Sequence, residues 1–352
     1  MKKYRAYLMC TAVVVGTGLG AAPPAAHRHA THVVWPGESI QKAVDAAQSG
    51  DTVLLAPGTF HESVKVTTPG LTLRGMGRGT VIAPSTKKAA DSCSEAGNGI
   101  CVLGTKDRNV KGVTVASLTV TGFTRAGVFG MATDGMTVRN VTAVKNGVWG
   151  IAQERSVRGV FQNNTAQDNG DAGLFLANTI KEEAGADDTR GTVIERNRLE
   201  GNRIGVTVRR LRNLTVTQNR ISGNCAGVFV VGDENKPKAG AVTVRDNFVV
   251  RNNKSCPKTD RLDALQGSGI VVTGAEDNTV TGNVVRDNAG ASPLSGGIVL
   301  FKSFVGVTSD RNRVSGNVLG GNSPADIVNT DQGVGNTFQD NHCRASKPAG
   351  LC

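Results

Sequence analysis

The chain has 352 residues, of which 45 are glycine and only 4% aromatic, and a formal net charge of +11. Its apolar residues are mainly Val, Ile and Leu in short runs bounded by Gly and Asn, the pattern of brief strands rather than of amphipathic helices. Neither an arginine-rich run nor a base-stacking module accompanies the positive charge, which argues against nucleic acid as the partner.

Residues 1–26 read as an export signal. Lys2, Lys3 and Arg5 form the positive start, Leu8 to Leu19 the apolar core, and Ala21 to Ala26 the small-residue processing zone. That apolar stretch is too short to be a membrane span, and no second one follows. A secreted, extracellular, soluble monomer with no stable membrane insertion is therefore expected. Without the three signal cations, 37 Lys and Arg stand against 29 acids, a net of +8. Such a balance favours an acidic partner, a uronate polysaccharide or another cell-wall polymer, although a merely solvated basic surface is the alternative. Residues 27–37 are expected to form a flexible N-terminus.

From there the dipeptide Gly-(Ile/Val/Leu) recurs, for example at Gly127, Gly150, Gly173, Gly205 and Gly227, with closest spacings of 22 or 23 residues. An Asn-x-apolar-x-x-Asn phrase accompanies it, as in Asn164…Asn169, Asn197…Asn202 and Asn219…Asn224. A period in the twenties with strand-like runs marks a solenoid, in which each repeat buries its apolar side only by stacking on its neighbours. Three short parallel strands per turn fit best, and the short Asn corners predict side chains that hydrogen-bond up and down the stack. The coil is expected over residues 38–342, followed by a disulfide-stapled tail, 343–352. Six cysteines remain after export, and local pairing gives Cys93–Cys101, Cys225–Cys256 and Cys343–Cys352. A zinc site competes, but the paired Cys-x-x-Cys spacing is absent.

Insertions mark the working face. Residues 178–191 and 233–240 enlarge the corner after the Gly-Ile strand, and 253–268 and 289–296 the corner before it. That strand's sheet would become the floor of a groove walled on both sides, unless the insertions are simple drift. Alternation points Ile151, Leu174, Val206, Val228 and Ile270 inward, and Phe129, Glu154, Phe175, Arg209, Phe229 and Phe301 outward. Phe175, Phe229 and Phe301 would stack on sugar faces, with Arg210 and Lys302 binding carboxylates; alternatively, the inserted loops fold over the rings.

Ser39-Ile40-Gln41-Lys42-Ala43-Val44-Asp45-Ala46-Ala47, then Gly50-Asp51-Thr52-Val53, looks like the capping helix and first strand of a known group. With the repeats, the chain resembles the right-handed parallel β-helix superfamily, the pectin-lyase-like fold, of the secreted bacterial type. The resemblance implies an all-β coil whose open end is plugged by a helix over 39–48. Gly58-Thr59-Phe60-His61-Glu62 is similar to a segment of pectin methylesterases, and the later repeats resemble those of alginate epimerases and lyases and of copper-processing β-helix proteins.

None of the superfamily's catalytic motifs is complete here. A uronate lyase or epimerase asks for least: a base that removes the proton alpha to a carboxylate, and a cation that neutralises the acid. Arg209 and Glu154 are the catalytic candidates on the Gly-Ile strands, with Arg210, Lys181, Lys236 and Lys302 nearby. Asp187 and Asp188 in one insertion and Asp233 and Glu234 in another would form an oxygen-ligand calcium site, or else be solvated loop acids. Copper would need the new amino terminus and His29, since His27, His29, His32, His61 and His342 all lie outside the repeated sheet. The alternative to an enzyme is a non-catalytic carbohydrate-binding or adhesion scaffold.

Overall fold

A computed structural model describes residues 29–86, 92–180, 182–260 and 262–352. The export signal, His27 and Lys181 lie outside the described residues. Three sheets wrap one coil. The first has 12 strands, from Thr31–Val34 to Thr337–Gln339, the second 10, from Gly58–His61 to Val318–Gly320, and the third 11, from Val64–Val66 to Ser346–Lys347. Neighbouring strands are parallel and in register, as in Thr137↔Val160, Thr142↔Thr165 and Ile151↔Leu174. At about 4.8 Å per rung, the 12 strands of the first sheet make a rod roughly 50 Å long.

The inward side of each short strand fills the coil. Ile151, Leu174, Val206, Val228 and Ile270 belong to one continuous buried cluster that runs the length of the rod. The recurring glycine has a steric reason. A Cβ on Gly150 would lie 2.7 Å from the carbonyl oxygen of Gly173, and one on Gly173 would lie 2.9 Å from that of Gly205. Adjacent rungs approach too closely at this bend for any side chain.

A short asparagine ladder, Asn278–Asn312–Asn336 between the third and first sheets, and two long ones fix the corners. One long ladder runs from Asn164 to Asn341 between the first and second sheets, the other from Asn146 to Asn322 between the second and third. In each step the backbone N–H of one asparagine donates to the Oδ1 of the next, and in all but the step from Asn164, whose Nδ2 donates to Val138 O, the Nδ2 does so too. Asn219 does so to Asn247 at 3.0 Å by both routes. The residue ahead of each ladder asparagine is left-handed, for example Gln218 at φ 55° and Asp246 at φ 56°. That conformation turns the chain while the following amide is aimed inward.

The N-terminal end is closed by the helix Ile40–Ala46, which seats Ile40 and Val44 on the core. It is shorter than the expected 39–48, because Ala47 is already extended. Its first turn is capped by Ser39 Oγ, which accepts from Lys42 N, and by Glu62, whose Oε1 accepts from Ile40 N at 2.6 Å. Glu62 of the Gly-x-Phe-x-Glu segment is thus a helix cap. The expectation of a flexible 27–37 is corrected for the described part, 29–37: Thr31–Val34 pairs with Thr52–Leu55 as the outermost strand of the first sheet. Asp51 holds it there by accepting from Ala30 N and bonding His32. The tail beyond 342 also joins the coil, since Ser346–Lys347 pairs with Ile327–Asn329.

Candidate functional site

The inserted loops leave from both ends of the third sheet's strands, so its outer face lies between them. That face is not an open floor. Phe129, Phe175 and Phe229, with Val271 and Val299, are buried in a second apolar cluster outside the coil, joined by Leu265 and Leu294 from the loops. The expected sugar platform at Phe175 and Phe229 is therefore corrected: these rings hold the loops down. Trp149 completes the cover, stacked on Phe175 with ring centroids 4.6 Å apart. Its role was hidden in the sequence because the glycine bend interrupts alternation, sending the residue before it outward. Phe301 is only half-buried and leans on the exposed Phe304 at 5.1 Å.

Arg203 anchors the largest loop. Its buried guanidinium donates to the carbonyls of Pro257 at 2.6 Å and Asp263 at 3.0 Å. Burial pulls its pKa down, and Asp171 acts in the opposite direction. The Cys225–Cys256 disulfide pins the same loop to its rung; Cys93–Cys101 and Cys343–Cys352 are the other two bridges.

What stays accessible is the last residue of most of these strands. Met131, Glu154, Ala177, Arg209 and Val231 stack in register along this row, and all but Ala177 are part-exposed. Glu154 and Arg209 thus stand two rungs apart, and the start of the 178–186 loop lies between them. Ile180 N donates to Glu154 Oε1 at 3.2 Å, and Arg209 Nη1 donates to Thr179 O at 3.4 Å. Where the loop rejoins the coil, Asp187 N donates to Arg210 O at 3.1 Å. The Asp187 carboxyl is half-buried; burial raises its pKa and the Arg155 charge partly offsets this. Asp187, expected as a calcium ligand, and Arg155, which the sequence did not single out, therefore join Glu154 and Arg209 at one corner.

Arg210 is occupied otherwise. It is buried, ion-paired with Glu183 and Asp233, and donates to Glu182 O at 3.1 Å, so it clasps two inserted loops together. The expected substrate contact at Arg210 is corrected accordingly. Phe301 shares the row of Arg209 but lies three rungs on, about 14 Å away. Lys302 follows it and borders a shallow hollow of about 50 Å³ with Thr308 and Asp331.

The four proposed calcium ligands do not converge. Asp233 is held by Arg210 and by Asn235, and Asp188 turns outward, its pKa lowered by hydrogen bonds from Asn213 and from Arg190 N. Glu234 is exposed on the other loop. Among the described residues no three His, Cys, Asp or Glu side chains gather as a metal would require. The four-residue calcium site expected on Asp187, Asp188, Asp233 and Glu234 is corrected on that donor geometry. The copper site expected on the new amino terminus and His29 falls on a terminus outside the described residues; within them His32 bonds Asp51 at 3.1 Å, His61 Nδ1 donates to Pro84 O at 3.2 Å, and His29 and His342 are exposed. No described helix is long and apolar enough to cross a membrane.

Comparison with known proteins fits this architecture. A family model described as "Right handed beta helix region" matches residues 90–254, and one described as "Periplasmic copper-binding protein (NosD)" matches residues 177–348. No curated protein matches the sequence. Among solved structures, the A-module of the mannuronan C-5 epimerase AlgE4 of Azotobacter vinelandii is 20% identical, with a TM-score of 0.57 over 86% of this chain and 89% of that one. An alginate lyase from Paenibacillus sp. is 16% identical, with a TM-score of 0.60 over 86% and 99%. DFA-IIIase from Arthrobacter chlorophenolicus is 14% identical, with a TM-score of 0.62 over 90% and 82%. Identities this low carry the fold and no more. With its three parallel sheets, amide ladders and plugging helix, the chain is a right-handed parallel β-helix of the pectin-lyase-like fold.

Proposed function

We propose that the protein is secreted, acts as a monomer outside the cell, and binds an acidic polysaccharide along the row where the third sheet's strands end. One observation carries this reading: successive rungs bring Glu154 with Arg155, then Asp187, then Arg209 to the same corner. A polymer laid along the coil axis would meet a carboxylate and guanidinia at rung spacing. The net positive charge draws an acidic chain, and the planar guanidinium suits a carboxylate. Similar folds in structures named as an alginate lyase and a mannuronan epimerase support a sugar acid as ligand.

The finer reading is lyase or epimerase chemistry. Both begin by removing the proton alpha to the uronate carboxylate, which needs the substrate's charge neutralised and a base beside the carbon. Arg209 is placed for the first task. Asp187 suits the second, because a carboxyl raised by burial is a stronger base than an exposed one; Glu154 is the second carboxylate within the row. Expulsion of the C4 oxygen then leaves an unsaturated uronate, whereas return of a proton to the opposite face gives the epimer.

The test is ultraviolet absorbance during incubation with pectate and with alginate, alongside proton NMR of the product for epimerisation. Arg209→Ala should abolish product formation. Asp187→Asn should lower the rate on the order of a hundredfold or more, and the activity that remains should lack the rising limb of the pH–rate profile that a raised carboxylate pKa produces. A second reading, a non-catalytic carbohydrate-binding scaffold, is favoured by the sealed outer face of the third sheet. Retention of polymer in a pull-down, with no product by either method, would select it.

A further inference from the structure

We propose a second, independent ligand site, a saccharide-binding cleft at the corner between the first and second sheets, opposite the inserted loops. A hollow of about 280 Å³ opens there, lined by Arg78, Ser117, Asn140, Thr142, Asn163 and Thr165. That volume lies near the lower limit for small-molecule sites and suits one or two sugar rings.

The coil builds the lining. Ala116, Arg139 and Gln162 are in register on three successive rungs, so the next residues, Ser117, Asn140 and Asn163, form a column. All three are left-handed, at φ 54°, 54° and 55°, which projects their side chains off the corner. Thr142 and Thr165 begin the adjoining strands of the second sheet in direct register. Thr119 Oγ1 donates to Arg78 O at 2.9 Å and so fixes the loop that forms the end wall.

None of these six polar side chains has a hydrogen bond or ion pair within the described protein. Further along the same edge the equivalent groups satisfy one another. Arg196 Nε donates to Gln218 Oε1 at 2.9 Å, and Arg198 pairs with Glu200 at 2.6 Å. Unspent hydrogen-bonding capacity is thus concentrated where the hollow is.

The chemistry of the lining selects the ligand. Amides and hydroxyls each donate and accept, as sugar hydroxyls also do, whereas a site for a bare anion would present donors only. Arg78 is the one charged group and no acid is present, so an acidic sugar should be preferred to a neutral one and a basic one disfavoured. This inference does not depend on the strand-end reading, since it uses a different corner and different residues.

The experiment is a nitrogen-15 NMR titration of the full chain with trigalacturonate and, separately, with maltotriose. The side-chain amides of Asn140 and Asn163 should shift with both sugars, and more tightly with trigalacturonate. Combining Asn163→Gly, which keeps the left-handed backbone comfortable, with the near-isosteric Thr142→Val should weaken both titrations on the order of tenfold. Arg78→Ala should weaken only trigalacturonate. Unmoved Asn140 and Asn163 amides up to the solubility of either sugar would overturn the proposal. So would unchanged affinity in the double variant with its spectrum otherwise native. Shifts confined to Glu154, Arg155, Asp187, Arg209 and the 178–186 loop, with the Asn140 and Asn163 amides unmoved, would support the strand-end site alone and refute the cleft.

Discussion

Asn219 accepts from both the backbone N–H and the Nδ2 of Asn197, each at 2.9 Å, and donates to Ile194 O and Asn247 Oδ1 at 3.0 Å. Replacing it with alanine would strand buried donors and acceptors on two rungs. Asn219→Ala should therefore cost about 3 kcal/mol in urea unfolding. Asp51 behaves differently, because its charge is what the fold uses. Hydrogen bonds from Gln48 N, the His32 side chain and Ala30 N hold its pKa down, from 3.8 to about 2. A depressed carboxyl stabilises the fold above its unfolded pKa and ceases to as the pH drops through its folded one. On acidification between about 4 and about 2, the strand Thr31–Val34 should detach first, seen as rising amide exchange there. Asp51→Asn should remove that acid dependence. The ladder asparagines were legible in the sequence because their spacing repeats. Asp187 was not: nothing in its neighbours shows that a loop acid will be half-buried beside Arg155, and it read as a metal ligand.

Between residues and the whole rod stand the inserted loops. Their positions were legible as departures from the period, and the strands they flank follow from the topology. Their contents were not, because Leu265 and Leu294 carry no periodicity to show that they would join the phenyl rings in one buried cluster. Alternation correctly separated the inward from the outward residues of the third sheet, yet outward did not mean solvent-exposed. A row of phenylalanines on a sheet's outer face is itself a sign that something covers it. Arg203 is the element-scale test. Arg203→Met keeps the stem's packing but loses two hydrogen bonds to the loop. Tryptic cleavage at the exposed Lys258 should accelerate several-fold, while exchange in the three sheets stays unchanged.

At the scale of the molecule, stability comes from nearest-neighbour rungs, so the ends matter most. Val44→Asp would place a charge where the plugging helix meets the core. Exchange should rise in the first rungs and fade toward the middle of the rod, and self-association should appear in light scattering. The three disulfides close short segments, with partners 8, 31 and 9 residues apart, so none ties distant rungs together. Reduction should consequently loosen corners and leave the rod's length alone. The amide ladders have a wider implication. They set the same step at every turn and prescribe no final turn count, so the molecule is extensible by design of its corners. A tandem copy of residues 142–164, whose flanks already superpose through Thr142↔Thr165, would insert one more storey of about 4.8 Å. Any polymer read along the axis could then be matched to a longer ruler without redrawing a single loop.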